Sequence, residues 1–115
     1  ENKEYARIVN MGSTISKRLN ELSYSLSKIA LEKYVYDIIP FIKNKNILIS
    51  LIDPGWVKTD MGGKNALHNI DTLNPGILVP IFMDNYKQGS WFYAQDVKHM
   101  KLTDAINFYK GYYGV

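Results

Sequence analysis

Asp53-Pro54-Gly55-Trp56-Val57-Lys58-Thr59-Asp60-Met61-Gly62-Gly63 follows directly on Ile47-Leu48-Ile49-Ser50-Leu51-Ile52, and this junction decides how the chain is read. The six-residue run is almost wholly apolar, the pattern of a strand covered on both faces. A buried strand that ends in a Pro-Gly turn exposes backbone at its carboxyl end. In open α/β sheets ligands bind there, in the crevice beyond the strand ends. Gly55 carries no side chain to keep a planar ligand away.

Upstream, Arg7-Ile8-Val9-Asn10-Met11 reads as a sheet-interior strand that needs neighbours on both sides, with Ile8 to Met11 short and buried and Gly12-Ser13 closing it. Residues 14–21 are polar enough for a surface loop. Leu22–Ile42 then has the spacing of a helix, with Leu22, Leu26 and Ile29 on one apolar stripe and Leu31, Val35, Ile38 and Ile42 on another. Much of its surface should be covered. Ser23 is the expected cap, and Pro40 is expected to kink or end the helix near Ile39.

Downstream, Lys43-Asn44-Lys45-Asn46 is a polar loop, and the region after Gly63 is irregular as far as Leu73-Asn74-Pro75-Gly76. Pro75 can open a helix through Ile77, Leu78, Ile81 and Phe82, although Pro80 weakens it. Lys87-Gln88-Gly89 reads as a turn, Ser90-Trp91-Phe92-Tyr93-Ala94 as a third strand, and residues 103–109 as a short helix capped by Thr103. Strands alternating with helices imply parallel pairing and an α/β sandwich.

The 115 residues, 46% of them hydrophobic, suffice for one domain with a core and not for two. A net charge of +3 with scattered Lys and Arg gives no nucleic-acid footprint, so no nucleic-acid partner is expected. Cysteine is absent, which removes disulfides, thiolate metal sites and a cysteine nucleophile. No apolar segment approaches the roughly 20 residues of a bilayer span, and the charged start Glu1-Asn2-Lys3-Glu4 is no secretory signal, so a cytoplasmic protein without membrane contact is expected. The first Met is Met11, and an apolar strand begins almost at once. The chain therefore reads as part of something longer.

Tyr24 and Lys28 lie four residues apart, on one helix face with Cβ atoms about 5–6 Å apart. A free tyrosine titrates near ~10 and a lysine near ~10.4. An ammonium held close favours the phenolate and brings the tyrosine toward the range of useful proton transfer. About one such pair is expected by chance from the nine tyrosines and the lysine content, so the order of motifs carries the weight.

That order, strand-Ser, Tyr-x-x-x-Lys, strand-Pro-Gly-x-Val-x-Thr, resembles the short-chain dehydrogenase/reductase family over residues 7–100. The wording Gly-Trp-Val-Lys-Thr-Asp-Met-Gly-Gly, echoed by Gly89-Ser90-Trp91-Phe92-Tyr93, is closest to its carbonyl-reductase branch. The resemblance implies the carboxyl-terminal half of a Rossmann-like, doubly wound parallel sheet, with residues 1–115 as a partial, catalytic domain. It implies Ser13 as the group that hydrogen-bonds the substrate carbonyl, Tyr24 as proton donor and acceptor, and Lys28 as the residue that binds the nicotinamide ribose and tunes the tyrosine. Pro54, Gly55, Trp56, Val57 and Thr59 match the segment that cradles the nicotinamide of NADP or NAD. There the Val57 amide would bond the carboxamide, and the Thr59 hydroxyl would reach it or a phosphate oxygen. The interval from Ser13 to Tyr24 is slightly short for the family, which implies a trimmed loop.

Two family features are missing. No glycine-rich fingerprint precedes the catalytic residues, since Gly62-Gly63 comes after the second strand, and the family's catalytic asparagine lies upstream of anything present. The missing amino-terminal half is thus an expected partner, beside a small-molecule carbonyl substrate and a second copy through the Leu22–Ile42 helix. A truncated, non-catalytic relative acting as an assembly piece is the other reading. His68 and His99 have no companion at metal-ligand spacing and are expected at the surface. The tail Phe108-Tyr109-Lys110-Gly111-Tyr112-Tyr113 reads as a docking or dimer contact.

Overall fold

The computed structural model describes residues 5–13 and 21–115. Three strands, β1 (Ala6–Met11), β2 (Ile47–Asp53) and β3 (Ser90–Tyr93), form one parallel sheet in the order β1-β2-β3. Helix α1 (Leu22–Ile42) connects β1 to β2. A longer path connects β2 to β3 through two 3₁₀ turns, Ile70–Leu73 and Gly76–Leu78, and the short helix α2 (Val79–Phe82). A 3₁₀ turn, Ala94–Val97, then leads into the terminal helix α3 (Leu102–Tyr113). The α/β sandwich and parallel pairing expected from the sequence are present.

β2 explains the layering. Its alternate side chains divide between two cores: Ile49 and Leu51 pack with Val35 and Ile42 of α1, while Leu48 and Ile52 pack with Val79, Met83, Phe92 and Tyr109 on the other face. Both faces of the central strand are therefore buried, which is why its sequence is apolar throughout instead of alternating. Burial of a side chain such as Phe92 contributes about 2–3 kcal/mol. α1 crosses one face and α2 the other, although the strand order runs in one direction. The two crossovers consequently have opposite hands, against the usual right-handed preference.

Several local expectations are corrected. β1 begins at Ala6 and, among the described residues, pairs with β2 alone; Ile8 is 41% and Met11 45% exposed. Most of the loop expected over residues 14–21 lies outside the described residues. α1 has the expected limits, but Glu21 occupies its N-cap position without a side-chain capping hydrogen bond, and Ser23 lies inside the first turn. The helix continues past Pro40 because Ile42 is buried against Ile49 and Leu51 and holds the last turn in place. Only Ser25, Val35 and Ile42 of α1 are buried, while Leu22 is 66% and Phe41 77% exposed. The apolar stripes are real, but the sheet covers only part of them.

Pro75 precedes a 3₁₀ turn, not an α-helix, and Pro80 sits in the first turn of α2, where its missing N–H costs nothing. Ala94 leaves β3 for the 3₁₀ turn. α3 starts at Leu102 and runs to Tyr113, longer than the sequence indicates, with no side-chain cap from Thr103. No helix among the described residues is long and apolar enough to cross a membrane.

Candidate active site at the carboxyl ends of the strands

β1 and β2 leave the sheet side by side. Met11 pairs with Ile52, and the Gly12 N–H donates to the Ile52 carbonyl at 2.8 Å, so Gly12-Ser13 and Asp53-Pro54 emerge at the same end. Ser13 is half-buried there. Gly12 is required by a close approach: a Cβ on it would lie 2.5 Å from Cη2 of Trp91, whose indole reaches over Leu51 from β3.

α1 is tied to this end by Lys28, whose ammonium donates to the Met11 carbonyl at 3.0 Å and lies 5.9 Å from the centre of the Tyr24 ring. That distance is within the cation–π range of about 6 Å. Tyr24 is 43% exposed. The Tyr-x-x-x-Lys pair thus shares one helix face, as its spacing requires, and that face lies against the strand end two residues before Ser13.

The turn after β2 is held from three directions. Asp53 Oδ1 accepts from the Gly55 N–H at 2.8 Å. An isolated parallel bridge joins Val57 to His68, with the Lys58 N–H donating to His68 O and the His68 N–H to Trp56 O. In such a bridge the neighbours of Val57 make the bonds, so its own N–H and carbonyl point the other way. None of the described residues accepts from the Val57 N–H. Finally, Gln95 Nε2 donates to Pro54 O at 2.8 Å.

Gly55 has a different reason from the one its sequence suggests. Its φ is +77°, and a Cβ would meet Gln95 Cγ at 2.8 Å and His68 Cδ2 at 3.3 Å. That side is filled by protein and not left open for a ligand. Trp56 spends its ring donor on Gly62 O at 2.7 Å, and Thr59 Oγ1 accepts from the Gly62 N–H at 3.0 Å, which leaves the Thr59 hydroxyl proton as a donor. These bonds fold residues 57–63 back on themselves and bring Lys58 and Lys64, with Asp60, around an open cleft of about 540 Å³ beside Thr59.

The two lysines and Gln95 are absent from the sequence-derived site. A spacing of six residues in a loop follows no regular period, and Gln95 is 41 residues from Pro54, so neither left a local signal. His68 is half-buried through its role in the bridge, and His99 is exposed. No group of three or more potential metal ligands occurs among the described residues. No protein-family model matches the chain, and neither a curated protein nor a solved structure does.

Proposed function

We propose that this chain supplies the proton-transfer half of an NAD(P)H-dependent oxidoreductase of the short-chain dehydrogenase/reductase type, which reduces an aldehyde or ketone to an alcohol. The observation that carries this reading is the Lys28 ammonium, which contacts both the end of the strand leading to Ser13 and the ring of Tyr24. A second support is the Val57 N–H, which the bridge to His68 directs away from that residue and for which no described residue is an acceptor, a donor of the kind a carboxamide oxygen needs.

The bound nicotinamide would supply the hydride. Ser13 donates a hydrogen bond to the carbonyl oxygen and fixes its position. The Tyr24 hydroxyl gives its proton to that oxygen as negative charge develops there, and the Lys28 ammonium balances the phenolate left behind. The Pro54–Thr59 turn orients the nicotinamide end, with the Val57 N–H toward the carboxamide. No residue of this chain is assigned to the adenosine end, which belongs to an amino-terminal dinucleotide-binding half that would extend the sheet at β1. The choice between NADP and NAD lies with that half.

The test is reduction of a panel of aldehydes and ketones by the chain joined to such a half. Tyr24→Phe should lower kcat at least ~100-fold, the scale of a lost general acid, with the circular dichroism spectrum retained. Unchanged turnover refutes the assignment. The exposed apolar face of α1, with Leu22, Leu26, Ile29 and Phe41, favours a second reading in which the chain is an assembly piece that pairs through this helix. Tight binding of a nicotinamide nucleotide by the chain alone argues against it.

A further inference from the structure

The geometry points to Gln95 as the positioning residue of the Pro54–Gly55 turn, setting the conformation in which Val57 meets a nicotinamide; this inference rests on the reading of that turn given above. Gln95 lies in the 3₁₀ turn that follows β3, and its side chain reaches back to the end of β2. Both amide protons are used. One goes to Pro54 O at 2.8 Å and the other to Thr72 Oγ1 at 3.0 Å.

The orientation of the amide follows from its partners. Pro54 O can only accept, and the Thr72 hydroxyl spends its own proton on Asn69 O at 2.7 Å, so it presents a lone pair to Gln95. Only the NH₂ group can face both. One side chain therefore joins the turn after β2, the 3₁₀ turn Ile70–Leu73 and the segment after β3.

The aliphatic stem has a separate task. Gln95 Cγ stands 2.8 Å from the point where a Gly55 Cβ would be, so it backs the glycine while the amide fixes the preceding carbonyl. A methionine of similar length would give the same backing. What it would not do is hold the Pro54–Gly55 peptide plane, and with it the Gly55 N–H on Asp53 and the direction of the Val57 N–H. The amide also carries a cost, because Gln95 Oε1 is buried with no partner among the described residues. An apolar replacement would remove that cost, so the amide adds orientation and not cohesion.

The experiment uses the chain as it stands, with nicotinamide mononucleotide as the probe and hydrogen exchange of the hydrogen-bonded Gly55 and Lys58 amides as a readout that needs no ligand. Gln95→Met should speed exchange at those amides at least tenfold and weaken the mononucleotide by a similar factor, while the melting temperature stays within a few degrees of the parent. Gln95→Glu keeps the shape but loses the donors, and it should give the same result should the methionine variant not fold. Unchanged exchange at Gly55 and Lys58 overturns the inference, as does a loss of protection spread evenly over the sheet, which marks a purely structural role. If the parent does not bind the mononucleotide while Gln95→Met still frees the turn, the clamp stands and the oxidoreductase reading falls.

Discussion

The two edges of the sheet are finished differently. Along β3 the chain closes the edge with its own side chains: the Tyr109 hydroxyl accepts from the Tyr93 N–H at 2.6 Å and donates to the Tyr93 carbonyl at 2.9 Å, and the Tyr113 hydroxyl donates to the Trp91 carbonyl. Backbone groups that could template another strand are thereby occupied. Along β1 the described residues offer no such cover, and Ile8 and Met11 stand exposed beside the edge. Exposed edges invite strand pairing, and proteins usually blunt them. Here one edge is blunted and the other is left able to pair, which agrees with the proposal that the sheet extends at β1.

The largest expected effect comes from opening the closed edge. Tyr109→Phe combined with Tyr113→Phe removes three hydrogen bonds and leaves Tyr93 and Trp91 backbone groups unsatisfied, which should cost about 2–4 kcal/mol. Urea unfolding measures the loss, and sedimentation velocity should show new self-association. A variant that stays as stable and as monomeric as the parent would remove the contrast between the edges.

Alkaline pH should loosen the same edge by a smaller amount. Burial pushes the Tyr113 phenol up to about 12 and raises Tyr109 and Tyr93 as well. An unfolded chain releases these protons near pH ~10, whereas the folded chain keeps them. Between those values the unfolded state binds fewer protons, so stability is fully present below pH ~10 and falls as pH rises toward about 12. Melting curves from pH 8 upward should show this decline, and Tyr113→Phe should flatten it.

The smallest effect belongs to the open edge. Ile8→Lys places a charge on a half-exposed position and should change stability by less than ~0.5 kcal/mol in the chain alone. When the chain is joined to a partner that extends the sheet, the same substitution should weaken their association at least tenfold in a titration. A large destabilisation of the isolated chain would mean that β1 is already covered.

Much of this architecture was legible because its signals are local. The apolar run at β2, the Pro-Gly and Lys87-Gln88-Gly89 punctuation and the long helical spacing of α1 each lie within one segment, and the elements appear where those segments stand. The Tyr24 and Lys28 pair was legible for the same reason, being one helical turn apart. The rest depends on residues distant in sequence. Tyr109 and Tyr113 looked like a sticky tail, yet their hydroxyls finish a strand 16 and 22 residues away, leaving Phe108 and Tyr112 as the exposed rings. The stripes on α1 were visible as apolar, but periodicity does not say how far the sheet reaches beneath them. Gly55 was legible as the glycine of a turn after β2, but as room for a ligand, while Gln95, which fills that side, could be found only by folding the chain.

Trp91 joins these observations. Its carbonyl is held by the last turn of α3, its indole N–H donates to the Tyr36 hydroxyl at 3.0 Å, and its ring lies flush against Gly12. One residue, Trp91, therefore joins the last turn of α3 through its backbone and Gly12 through its ring, which spans from β3 over Leu51 of β2 to the end of β1. A smaller side chain at position 91 would unload Gly12 and release the Tyr36 hydroxyl in one step, so a single substitution loosens the end of β1 and its cover by α1 together.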